Sequence, residues 1–169
     1  MNITAGKFKG QKIIAPETDL VRPTLSKVRM AVFNVLQSYV DFEEATFLDM
    51  YGGSGVMGLE AISRGFKSAT VIEKDRKISQ IIKKNYLSLG VKPDLYNMDT
   101  LKFKTDKFYD VVYIDPPYYA GVYEKTLEIV PDFHICVVEH PEDVEIKGFN
   151  LLKQKKYGDK FLTFLMKEE

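Results

Sequence analysis

The chain is poor in residues that staple or metallate small proteins. Of its 169 residues one is cysteine, Cys136, which excludes an intramolecular disulfide and a cysteine-cluster zinc site. Two histidines, His134 and His140, leave little for a histidine-based centre, so no metal is expected. No apolar run approaches the roughly 20 residues that a membrane-spanning helix needs. The opening MNITAGKFKGQK lacks the apolar stretch of a secretory signal. Net charge is also absent, with 24 Lys and Arg against 24 Asp and Glu. These absences lead to the expectation of a cytoplasmic protein with no membrane partner, and small size with zero net charge favours a monomer. What is present is an ordinary globular mixture, 45% hydrophobic and 28% charged. A chain of this length buries roughly 70% of its unfolded surface without cross-links.

Zero net charge conceals an uneven distribution. The first 29 residues hold Lys7, Lys9, Lys12, Arg22, Lys27 and Arg29 against Glu17 and Asp19. The remainder is mildly acidic. A basic leader of this kind is a candidate nucleic-acid contact, whatever the total.

Residues 3–15 read as two short strands turning at Lys9-Gly10. A helix follows, capped by Thr24 or Ser26, with Val28, Val32, Phe33, Leu36 and Tyr39 at helical spacing. Strands are expected at 46–51, 68–72, 95–98, 110–114 and 133–139, with helices at 56–64, 75–89 and 121–130 between them. Alternation of this kind means βαβ units and a mostly parallel sheet. Two last runs, 149–157 and 160–167, have no helix between them and form a hairpin, leaving an antiparallel strand in the sheet. Ligands of such sheets bind at the carboxyl ends of the strands. Those ends carry Asp49, Glu73, Asp99, Asp115 and Glu139.

Gly53-Ser54-Gly55-Val56-Met57-Gly58 fits the G-x-G-x-x-G pattern between a strand and a helix, and Glu73 lies 20 residues past Gly53. Glycines permit a tight turn and close backbone approach, and a strand-end carboxylate takes two ribose hydroxyls. Asp49, just before the loop, would repel a pyrophosphate and attract an amine. S-adenosylmethionine has an amine, a sulfonium and a ribose but no phosphate. It therefore suits Asp49 and Glu73 better than NAD does, with Asp99 left for the adenine amine.

Asp115-Pro116-Pro117-Tyr118 ends a strongly apolar strand. Two prolines cannot continue a ladder, so the chain leaves the sheet here as a stiff corner. That corner presents a carboxylate, a free carbonyl and an aromatic ring beside the glycine loop. Such a set suits methylation of an exocyclic amine on a nucleobase. Two acceptors draw the amine's lone pair out of conjugation, and Tyr118 stacks on an unpaired or flipped base. Positioning supplies most of the acceleration, and neither a metal nor a strong base is required.

Together these residues resemble the class I S-adenosylmethionine-dependent methyltransferases. Within that class the chain is similar, over nearly its whole length, to the bacterial 16S rRNA guanine-N2 methyltransferase family, RsmD. The similarity is carried by GKFKGQKI near the N-terminus, RPTLSKVRMAVFNVL at 22–36, LDMYGGSGVMGLEAISRG at 48–65, VIEKD at 71–75 and YIDPPY at 113–118. The resemblance implies a Rossmann-like α/β fold with a mostly parallel seven-stranded sheet, an antiparallel C-terminal strand and a small N-terminal hairpin-and-helix extension. It divides the chain into that basic extension, 1–40, and the methyltransferase domain, 41–169. It assigns Thr24, Asp49, Tyr51, Gly53, Ser54, Gly55, Glu73 and Asp99 to S-adenosylmethionine. It assigns Asp115, Pro116 and Tyr118 to the target base, and Lys7, Lys9, Lys12, Arg22 and Arg29 to RNA. The implied substrate is a guanine of 16S rRNA in the 30S subunit or its precursor. Met30 and Tyr51-Gly52 depart from the family's usual residues. An adenine-N6 methyltransferase sharing DPPY, an NAD-dependent oxidoreductase using the glycine loop, and a non-catalytic RNA-binding assembly factor are the competing readings. His134, His140 and Cys136 read as structural, and Lys153, Lys155 and Lys156 as a solvated face.

Overall fold

A computed structural model describes residues 1–17 and 24–168. Its centre is the run Asp110-Val-Val-Tyr-Ile114, apolar at consecutive positions rather than alternate ones. A strand of that kind must be covered on both faces. It forms β4 (Tyr109–Ile114), flanked by β1 (Thr46–Asp49) and β5 (Phe133–Pro141). Beyond β1 lie β2 (Ser68–Ile72) and β3 (Asp94–Tyr96). Beyond β5 lie β7 (Lys160–Lys167) and the edge strand β6 (Phe149–Tyr157), giving the order β3-β2-β1-β4-β5-β7-β6. All ladders are parallel except β5–β7 and β7–β6. This is the expected seven-stranded sheet with an antiparallel strand near its C-terminal edge.

Successive residues of the central strands feed different layers. Phe47, Val111, Tyr113 and Val137 meet α1 (Ser26–Leu36), α2 (Val56–Ser63) and α3 (Arg76–Ser88) on one face. Leu48, Val112, Ile114 and Val138 meet α4 (Val122–Ile129) on the other. Phe33, from α1, stacks on Phe47 with ring centroids 5.9 Å apart, so α1 is seated on the sheet.

The N-terminal segment is tied to α2 and α3. Ile3 and Ile13 are buried in the same core as α1–α3. Thr4 donates to Glu60 through both its amide and its hydroxyl, and Phe8 N–H donates to Ser63 Oγ. Gly6, at φ +82°, lies so close to α2 that a Cβ would stand 1.9 Å from the Ser63 carbonyl oxygen. The Asn85 side chain of α3 donates to the Ile14 and Ser54 carbonyls and accepts from Ile14 N–H, joining this segment to the glycine loop.

Local expectations change in three places. The N-terminal hairpin is reduced to one antiparallel bridge, Asn2 to Lys12, because hydrogen-bonded turns around Gly6 and Gly10 take up the residues between. Neither Thr24 nor Ser26 caps α1. Leu25 occupies the cap position without a side-chain bond, and the Ser26 hydroxyl instead accepts from Arg29. Tyr39 falls beyond the end of α1 and is exposed, because the helix stops at Leu36 in a turn.

Candidate active site

The C-terminal tips of the parallel strands and the tip of the β6–β7 hairpin enclose a cleft of about 900 Å³. Its floor begins at Asp49, the last residue of β1, which is 1% exposed. One oxygen, Oδ1, accepts from Tyr51 N–H at 3.1 Å. Burial holds this carboxyl well above its ordinary range, and the charges of Asp115 and Glu73 push it further up. A cation placed here would relieve that repulsion, whereas a pyrophosphate would worsen it.

The glycine loop crosses above Asp49. Gly52 N–H bonds the Ile72 carbonyl at 2.8 Å, and Gly53 N–H donates to Glu73 Oε1 at 3.1 Å. Glu73 Oε2 accepts from Asp75 N–H at 2.8 Å. Two backbone donors thus fix this half-buried carboxylate in the cleft wall. Burial raises its pKa, and those bonds offset part of the rise. Asp99 caps the 3₁₀ turn Thr100–Lys102 through Leu101 N–H and still lines the cleft. Ser54 and Thr24 line it too. Tyr51 donates to Thr126 Oγ1, whose own hydrogen goes to the Val122 carbonyl, so the ring is held against α4. Burial pushes the Tyr51 phenol up to about 12.

Asp115 follows the last residue of β4, and Pro116, Pro117, Tyr118 and Tyr119 continue the wall. Tyr118 is 60% exposed on the rim, and its hydroxyl donates to Asp143 Oδ2 at 3.0 Å. The stiff corner and the glycine loop therefore share one cavity, and the charge of Asp115 acts on Asp49.

Two expected residues are placed elsewhere. Gly55 starts α2 and is turned toward α3, where a Cβ would stand 2.9 Å from Ile82 Cγ2; close packing of loop on helix is what requires glycine there. Arg29 is not on an RNA-facing surface. It is 2% exposed, pairs with Glu60 at 2.9 Å, and donates to the Asn2 and Thr24 carbonyls and to Ser26 Oγ. Its guanidinium is consumed in fixing the N-terminal segment to α1 and α2, with Arg64 completing the ion cluster around Glu60. Lys7, Lys9 and Lys12 are exposed along that segment. Arg22 lies outside the described residues.

Sequence reasoning missed Lys160. At the start of β7, its ammonium stands 3.8 Å from Asp115 Oδ1 and 3.6 Å from Glu139 Oε1. The available signal was topological. A strand antiparallel to β5 must begin where β5 ends, and Pro141 is indeed paired with Lys160. Glu139, read only as one more acidic strand end, accepts from the buried Tyr113 hydroxyl at 2.7 Å, and its carbonyl accepts from Tyr123.

The donor set fits a cationic, ribose-bearing cofactor. Carboxylates at the tips of β1 and β2 suit an ammonium and a diol, and Gly52 and Gly53 line the same cleft. Strand order and site together define a class I methyltransferase. The family described as conserved hypothetical protein 95 matches residues 1–166. Ribosomal RNA small subunit methyltransferase D of Buchnera aphidicola (Acyrthosiphon pisum) is 34% identical over 162 residues, spanning 91% of this chain and 78% of that protein. The protein of the same name from Escherichia coli K12 is 35% identical over 135 residues, 78% of this chain and 67% of its own length. The solved structure of yhhF from Escherichia coli superposes with a TM-score of 0.87 at 29% identity, covering 99% of this chain and 98% of that one. The chain belongs to the RsmD family of methyltransferases.

Proposed function

We propose that this protein methylates the exocyclic N2 amine of a guanine in 16S rRNA, using S-adenosylmethionine, on the 30S subunit or its precursor. One observation carries the reading: the Asp115-Pro-Pro-Tyr118 corner opens into the same cleft as Asp49, the glycine loop and Glu73. The rRNA substrate is supported by the names of the curated relatives.

S-adenosylmethionine, when bound, supplies a methyl group on a cationic sulfur. Asp49 and Glu73 would hold its amine and ribose hydroxyls, with Asp99 and Ser54 beside the adenosine. Asp115 accepts an N–H of the target amine, and the Pro116 carbonyl, on a residue that cannot donate, accepts the other. Donating both N–H bonds to these acceptors favours a pyramidal nitrogen whose lone pair is freed from conjugation with the ring, and one N–H proton leaves once the methyl is bound. The exposed Tyr118 ring offers a stacking face at the rim, and its bond to Asp143 fixes the ring's orientation. Asp49 is buried at the floor, where an electrostatic contact acts more strongly than in water.

The test is to incubate the protein and labelled cofactor with 30S particles lacking the modification, then to map the product. N2-methylguanosine in 16S rRNA is expected. N6-methyladenosine would replace guanine by adenine as the target, and unlabelled 30S particles would overturn the ribosomal substrate.

A further inference from the structure

The β6–β7 hairpin delivers a cation into the cleft from the far side of the sheet. Lys160 lies between two carboxylates at the tips of adjacent strands, Asp115 beyond β4 and Glu139 on β5. Glu139 is 8% exposed and is held from behind by the Tyr113 hydroxyl, itself 1% exposed. One oxygen of Glu139 therefore belongs to Tyr113 and the other faces the lysine. The register Pro141 to Lys160 fixes where the lysine backbone starts. We propose that Lys160 is a positioning residue for methyl transfer: held by Glu139, its ammonium fixes the Asp115 carboxylate so that one oxygen remains aimed at the target amine. This rests on the role given to Asp115 above.

The need for such a residue follows from the charges at the floor. The charge of Asp115 acts on Asp49 and on the Tyr113 and Tyr123 phenols, and Lys160 stands beside it. Repulsion from Asp49 favours rotation of the Asp115 carboxylate toward solvent or uptake of a proton, and either change removes the acceptor. An ammonium at 3.8 Å opposes both. The Lys160 side chain is 31% exposed, and an ion pair that open adds little to folding stability. Its effect should accordingly be seen in the rate rather than in the fold.

The experiment compares Lys160→Met and Lys160→Arg with the wild type on 30S particles, measuring kcat, KM for RNA, and calorimetric affinity for S-adenosylhomocysteine. Lys160→Met is expected to lose about tenfold or more in kcat, the scale on which misorientation of one acceptor acts. Cofactor affinity and Tm should stay near wild type, and Lys160→Arg should recover most of the rate. A kcat within about threefold of wild type for Lys160→Met, a parallel loss of cofactor affinity, or no recovery by arginine would overturn the inference. Turnover is not needed for the second arm, a carboxyl-carbon NMR titration of Asp115 in the ligand-free protein. Removing the neighbouring ammonium should move its midpoint to higher pH, and coincident midpoints would overturn the inference. A wild type inactive on 30S particles would sink the ribosomal reading while leaving this second arm to decide the role of Lys160. Transfer to adenine instead would correct the base and leave both arms in force.

Discussion

At Asp49 a single buried oxygen pair carries opposite demands from folding and from binding. Folding places the carboxyl out of water and beside two like charges, raising its pKa well above the usual value near 4. In the unfolded chain it titrates at about 3.9. Above that pH the folded state binds more protons than the unfolded one, so this group's contribution to stability falls as pH rises toward the folded midpoint. Subtracting the Tm-versus-pH curve of Asp49→Asn from that of wild type should isolate this slope, with the ligand-free wild type losing relative stability as pH increases. Cofactor affinity should run the other way. Below the folded midpoint the protonated carboxyl offers no charge to an ammonium, so calorimetry should show weaker binding at low pH. The Asn variant should bind about 10- to 100-fold more weakly, the range of one charge-assisted hydrogen bond of about 1.5–3 kcal/mol. Asp115→Ala should behave differently, abolishing transfer while leaving cofactor affinity within a few-fold. Equal loss of both would contradict its assignment to the target base.

Elements are held in register by two close contacts that composition does not announce. The first is α2 against α3. A Cβ at Gly58 would lie 2.1 Å from the Tyr86 hydroxyl, which is buried and finds no hydrogen-bond partner among the described residues. Gly58→Ala should therefore destabilise by about 1–3 kcal/mol, the usual cost of overpacking. Tyr86→Phe should be near neutral or mildly stabilising, since it removes an unpaired polar group. Urea unfolding of the double variant should show part of the Gly58→Ala loss restored. The second contact is the cluster around Glu60, which is fully buried between Arg29 and Arg64. Arg29→Met leaves that carboxylate with Arg64 as its cationic partner beside the two Thr4 donors. Breaking a buried pair costs about 3–5 kcal/mol, and retention of Arg64 places the expected loss at the lower end in the same denaturation experiment.

Over the whole molecule, the N-terminal segment runs along α2 with Lys7, Lys9 and Lys12 on its outer side. Backbone bonds of Lys7 and Phe8 reach Ser63, at the far end of a helix that begins in the glycine loop. Eight helical residues span roughly 12 Å, which sets Lys7 away from the glycine loop, and we propose that the segment meets RNA flanking the target base through these lysines. Their combined replacement by alanine should weaken 30S binding across sequences and lower the slope of log affinity against log salt by about 2, at about 0.7–0.9 per phosphate contact. An unchanged slope would remove the segment from the RNA interface.

Much of this was written in the linear order of residues. Consecutive apolar positions at 111–114 demand a strand covered on both faces, and the alternation of strands with helices demands a parallel sheet. Acidic residues at successive strand ends, a glycine loop and two prolines after a central strand therefore had to meet at one edge. Local chemistry could place Asp49, Glu73 and Asp115 because each sits at the end of its own strand, where direction alone settles the outcome. It misplaced Arg29, because whether a cation is exposed depends on which surfaces close over it, and here Glu60 lies 31 residues away. It missed Lys160 for the same reason: only antiparallel pairing of β7 with β5 carries the tip of a distant hairpin to Asp115 and Glu139. Short-range sterics and hydropathy fix the kind of element and the way it points. Long-range burial decides which charges become partners, and that was settled only when the sheet and its helices closed.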